Sequence, residues 1–83
     1  MSTQQTYLYK AIMQANPIKI AEKSNVSVRA VYKWLDNDRL PRTELTEETD
    51  YSSVIAKLCN DASLYNRDKL ISYTRKKWKQ RSI

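Results

Sequence analysis

The sequence predicts an all-α fold, a compact bundle of about five helices forming one domain over residues 1–83. Three observations predict it. Apolar residues recur at helical spacing along almost the whole chain. There is no glycine, so the Asn-Gly turns that favour tight β-hairpins are missing. The two prolines and several asparagines fall where helices would begin and end.

Each element follows from local signals. Tyr7, Leu8, Ala11, Ile12 and Ala15 share one helical face. That helix ends near Ala15, because the residue before Pro17 avoids the helical region. Asn16 is a good N-cap and Pro17 suits a first helical position, so a second helix starts at once and runs to about Ser24. Its apolar residues are Ile18, Ile20 and Ala21. Asn25 tolerates the left-handed conformation. Ser27 is a cap for a third helix over about Val28 to Leu35, in which Val31, Trp34 and Leu35 share a face and Ala30 sits at its edge. Residues 36–48 have no clean period and contain Pro41; they read as a loop anchored by Leu40 and Leu45. A fourth helix runs from about Asp50 to Asn60, capped by Thr49 or Asp50. Its Tyr51, Val54, Ile55, Leu58 and Cys59 give the cleanest amphipathic pattern in the chain. Cys59 reads as a small core residue on the inner face. A fifth helix runs from about Arg67 to Gln80 behind an Asn66 cap, with Leu70, Ile71, Thr74 and Trp78 on one side.

Composition also excludes activities. Without glycine there is no glycine-rich phosphate cradle, because such backbone tolerates no Cβ. Without histidine the usual general base and the commonest metal ligand are missing. One cysteine forms neither an intrachain disulfide nor a structural zinc site. No nucleophile–base pair or ligand cluster can be assembled, so the expectation is a non-enzyme with no metal, no cofactor and no small-molecule substrate. Lys and Arg number 15 against 9 Asp and Glu, a formal net charge of +6 that favours an anionic partner. No apolar run reaches the length of a bilayer span, and the first residues show no signal pattern. A cytoplasmic protein without a membrane partner is expected.

Residues 17–36 satisfy the requirements of a helix-turn-helix. Ala21 is the small residue where the two helices cross closely. Asn25, four positions on, takes the positive-φ place usually held by glycine. Val26 plugs the turn, Val31 and Trp34 face inward, and Ser27 caps the second helix. With these residues in place, the segment resembles the helix-turn-helix of the lambdoid phage Cro and repressor family of transcriptional regulators. Ser-Val-Arg-Ala-Val-Tyr-Lys-Trp-Leu (27–35) is similar to that family's recognition helix, including its tryptophan near the end. The stretch from Arg39 to Tyr51 is similar to a linker of phage and prophage members. The resemblance covers about residues 17–60. The chain departs from the pattern at Asn25, and at Pro17, where many members carry a glutamine that touches phosphate.

The resemblance implies a partner and a site. The partner is a double-stranded DNA operator, bound by a homodimer in a bacterial host cell, where the bound protein is associated with the nucleoid. Ser27, Val28, Arg29, Tyr32 and Lys33 form the face that enters the major groove. Arg29 is suited to guanine, because its planar fork spans O6 and N7. Val28 is suited to a thymine methyl. Lys19, Lys23, Arg39, Arg42 and Thr43 flank the motif as candidate phosphate contacts. Arg75, Lys76 and Lys77 join them from a basic C-terminal helix or tail over 67–83. Residues 1–68 carry nine basic and nine acidic side chains, so the surplus lies in Lys69, Arg75, Lys76, Lys77, Lys79 and Arg81. Two readings of this cluster stand: a basic arm that neutralises phosphates, or cations that suit a helix C-terminus. Two other functions use the same scaffold. One is the antitoxin of a toxin–antitoxin pair; the other is a protein-interaction module such as an antirepressor.

Overall fold

The computed structural model describes residues 6–80. They form α1 (Tyr7–Ala15), α2 (Pro17–Ser24), α3 (Val28–Asn37), a 3-10 turn at Arg42–Glu44, α4 (Tyr51–Cys59) and α5 (Arg67–Lys79), with no strand among them. The expected all-α bundle of five helices is the observed one.

The joints follow from short polar side chains. Thr6 caps α1 by accepting from the Tyr9 N–H at 3.2 Å. Asn16 serves two helices. Its N–H donates to the Ile12 carbonyl, ending α1, and its side-chain oxygen accepts from Ile18 N–H at 2.9 Å, starting α2. Asn66 caps α5 through Lys69 N–H at 2.9 Å. Asn25 and Asn60 close α2 and α4 in the left-handed conformation, which asparagine adopts more readily than most non-glycine residues.

The core gathers around α1, which packs on α4, α2, α3 and α5. Leu8 and Ile12 of α1, Ile20, Val31, Leu40, Ile55 and Leu70 are completely buried. Each such side chain contributes about 1.5–3 kcal/mol by leaving water. Cys59 lies at the same interface, as its spacing implies, with its thiol donating to the Ala11 carbonyl at 3.1 Å.

The structure departs from expectation between α3 and α4. Helix α3 continues two residues past Leu35, because Asp38 enters the left-handed conformation and its N–H bonds back to Leu35 and Trp34 carbonyls. Residues 36–48 are not wholly irregular. Leu40 anchors them fully and Leu45 in part, and the 3-10 turn carries Glu44 inward to 1% exposure. That carboxylate caps α4, accepting from the Tyr51 and Ser52 N–H groups at 2.8 and 2.9 Å and from the Thr49 hydroxyl. The cap was expected from Thr49 or Asp50. Asp50 holds the N-cap position but makes no side-chain cap bond. Glu44 prevails because one carboxylate satisfies two orphan donors at the positive end of the helix.

The other departure concerns α5. Leu70, Ile71 and Thr74 are buried as the pattern implies, but Trp78 is half-buried and reaches across the exit of α3. Its Nε1 donates to the Leu40 carbonyl at 2.8 Å, and the Leu40 N–H donates to the Thr74 hydroxyl at 3.3 Å. Asp38, two residues earlier, accepts from the Thr6 and Tyr73 hydroxyls, each at 2.6 Å, and pairs with Lys77 at 3.1 Å. Burial pushes the Asp38 carboxyl up, but these hydrogen bonds and the Lys77 charge outweigh it and hold the group below its ordinary value.

Two stability predictions follow from these contacts. Glu44→Ala orphans the first N–H groups of α4 and should lower the unfolding free energy by about 2–4 kcal/mol in urea titrations; a loss within experimental error would refute the cap. Asp38 has a depressed folded-state pKa, so its contribution is complete above the unfolded value of 3.8 and is lost as pH falls through the lower folded value. The melting temperature of the native chain should therefore drop below about pH 4. Asp38→Asn should melt lower at neutral pH and fall less steeply in that acid range. Part of the slope should persist, because Asp50 is also held below its ordinary value by bonds from Ser53 and Arg67 that outweigh burial. Parallel curves for the two proteins would show that Asp38 contributes no such linkage.

Candidate nucleic-acid interface

Helices α2 and α3 make the close-packed corner that the sequence requires. Ala21, 6% exposed, lies at their crossing. Asn25 turns the chain at φ 57° and ψ 45°. Its N–H and that of Val26 both return to the last turn of α2, Val26 N–H reaching the Ala21 carbonyl at 3.0 Å. This double return is the usual end of a helix that must stop abruptly. Ser27 then caps α3, its hydroxyl accepting from Ala30 N–H at 3.2 Å. Val31 is fully buried, and Trp34 stacks on Tyr51 of α4 with centroids 4.7 Å apart and planes 26° apart. Val26 is only half-buried, so it seals the corner from the side.

With Val31 and Trp34 inward, the opposite face of α3 is in solvent. Ser27, Val28, Arg29, Tyr32 and Lys33 are all exposed on it. Val28 and Tyr32 stand four apart, as do Arg29 and Lys33, so the five residues make one stripe two side chains wide. An apolar residue at 39% exposure beside a tyrosine at 48% leaves unpartnered contact surface on that stripe. Arg29 and Lys33 form no ion pair among the described residues. Lys19 and Lys23 are exposed on α2.

The remaining basic and hydroxyl candidates divide. Arg42, Arg75 and Lys76 are exposed. Arg39 is half-buried, its guanidinium 3.6 Å from the centroid of the Trp78 ring. Lys77 is engaged by Asp38, which raises its pKa through the hydrogen bond they share. The Thr43 hydroxyl is bonded to that of Thr49 at 2.9 Å and so braces the loop. Arg81 lies outside the described residues.

Sequence reasoning did not find a groove of about 260 Å³ where the end of α3 meets α5, lined by Lys33, Asn37, Arg39, Arg42 and Trp78 among others. Its walls come from segments some forty residues apart, and no local pattern announces such a meeting. Among the described residues no group of three or more Cys, Asp or Glu side chains could hold a metal ion. Burial pushes the Cys59 thiol up to about 11, with Asp61 adding to the shift, so it is no nucleophile at neutral pH. Among the described residues no helix is long and apolar enough to cross a membrane.

Comparison with known proteins adds a relative. No protein-family model matches the chain, and no solved structure matches it significantly. The 8.4 kDa cro protein of Escherichia phage HK022 is 47% identical over 38 residues, a match covering 46% of this chain and 50% of that protein. The chain thus spans about half the length of the curated relative it matches. The resemblance carried by the helix-turn-helix residues therefore has an independent counterpart: over about half its length, this chain is similar to a phage Cro protein.

Proposed function

We propose that the chain binds double-stranded DNA in a sequence-specific way and regulates transcription as a phage Cro-type protein inside a bacterial host. The observation that carries this reading is the α3 stripe. Five polar or contact-forming side chains stand in solvent on a helix whose other face is locked by Val31 and by the Trp34–Tyr51 stack. A rigid helix with one free face is what major-groove insertion requires. Similarity to a Cro protein supports the same reading.

The roles follow from chemistry. Arg29 reads guanine through its fork, and Val28 packs on a thymine methyl. Tyr32 and Lys33 reach bases or the adjacent phosphates, and Ser27 adds a phosphate contact at the positive end of α3. Lys19, Lys23 and Arg42 hold the backbone on either side. Lys76 adds charge from α5, whereas Lys77 and Thr43 keep their intramolecular partners. Two copies bind as a dimer, with recognition helices about 34 Å apart to meet successive major grooves.

Selection of bound sequences from a random DNA pool tests this. The expected outcome is a palindromic site with half-sites about one helical turn apart. At that site Arg29→Ala should cost about 1–3 kcal/mol and relax the preference at one position. Equal losses on selected and random DNA would make Arg29 a phosphate contact instead. Light scattering should find two copies on the selected duplex; one copy, both free and bound, would end the dimer reading.

A further inference from the structure

Most of the positive surplus sits on α5, but the structure does not treat those residues alike. Lys77 is paired with Asp38, and Lys69 donates to the Ser63 carbonyl at 2.7 Å. Arg75 and Lys79 are different. With Arg39, Arg42 and Trp78 they border a concavity of about 590 Å³ between α5 and the loop after α3. No acidic residue lines it among the described residues. Arg75 also borders the next groove, which holds Glu44, Glu47 and Asp68, and forms no ion pair with any of them among the described residues.

Four cations around one hollow repel one another unless an anion lies between them. Their arrangement is also built rather than loose. The Trp78 ring is fixed by its hydrogen bond to the Leu40 carbonyl, and the Arg39 guanidinium lies against it at 3.6 Å, with that of Arg42 at 6.0 Å. Stacking engages the face of a guanidinium and leaves its N–H edges directed outward in the plane. The Arg39 Nε is buried and has no hydrogen-bond partner among the described residues, although such donors are nearly always satisfied. A tetrahedral oxyanion in the hollow supplies acceptors to the guanidinium edges that line it, and arginine forks match it well.

The concavity also has a position. It shares Arg39, Arg42 and Trp78 with the groove lined by Lys33 and Asn37 of α3. The two hollows therefore adjoin, and together they reach from Lys33 on the α3 stripe to α5. We propose that this hollow is a phosphodiester clamp, in which Arg39, Arg42, Arg75 and Lys79 grip the DNA backbone just beyond the bases that α3 reads. The proposal rests on the DNA-binding reading above. It makes α5 part of the footprint, through a site assembled around Trp78.

The test uses the full chain and its selected duplex. Arg75→Gln/Lys79→Gln removes two exposed charges of the clamp. Lys10→Gln/Lys57→Gln removes two exposed charges from α1 and α4, outside the clamp. The clamp variant should lower the slope of log affinity against log salt by about one to two, with base preference intact. Phosphate-ethylation interference should vanish at backbone positions outside those bases whose readout Arg29→Ala relaxes. The control pair should change neither the slope by a comparable amount nor the interference pattern. If the clamp variant matches the control pair in both readouts while Arg29→Ala still relaxes the preference, the clamp is wrong and the DNA reading stands. If the native chain shows no salt-dependent binding to any selected duplex, the DNA reading itself falls.

Discussion

The exit of α3 is the contact on which both fold and site depend. Over three residues the chain reverses, and α5 takes hold of it. Asp38 adopts a left-handed conformation and gathers Thr6, Tyr73 and Lys77, while Leu40 has its N–H and carbonyl tied to Thr74 and Trp78. Leu40 is itself completely buried. Val31 and the Trp34–Tyr51 stack pack the inner face of α3 against the core. Hydrogen bonds to α5 fix the chain where that helix ends.

The same contact organises the charge. Counted along the chain, the positive surplus belongs to the last helix. In space part of it is neutralised, where Lys77 meets Asp38, and part is turned towards the loop after α3, where Arg75 and Lys79 border one hollow with Arg39, Arg42 and Trp78. Lys77 stabilises a turn, whereas Arg75 and Lys79 face a hollow that no acid lines among the described residues. Helical spacing explains the division. Tyr73 and Lys77 are four apart on one side of α5, while Arg75 and Lys79 are four apart on another.

Much of the molecule was legible because its signals are local. Asn16-Pro17, Asn25, Ser27 and Asn66 act on backbone groups two to four residues away, so their neighbours in sequence suffice to reveal them. The period of Leu8, Ile12, Val31 and Ile55 likewise reports which face turns inward. Glu44 was hidden because its partners lie five to eight residues on, beyond the reach of a capping box, in a stretch whose acids all look solvated. Asp38 was hidden because a left-handed aspartate carries a weaker signal than a glycine.

The sequence by itself determined five helices, their order, the corner of α2 and α3, and which side of α3 is free. Each of these follows from propensities and periodicities confined to one or two turns of chain. The tertiary structure decided how far α3 extends, what caps α4, and what Trp78 does. It also decided which basic residues stand beside the exposed face of α3. Beyond the local N–H bonds of Asp38, those outcomes depend on hydrogen bonds and stacking between residues from five to nearly forty positions apart, and only packing of the whole chain brings such groups into contact.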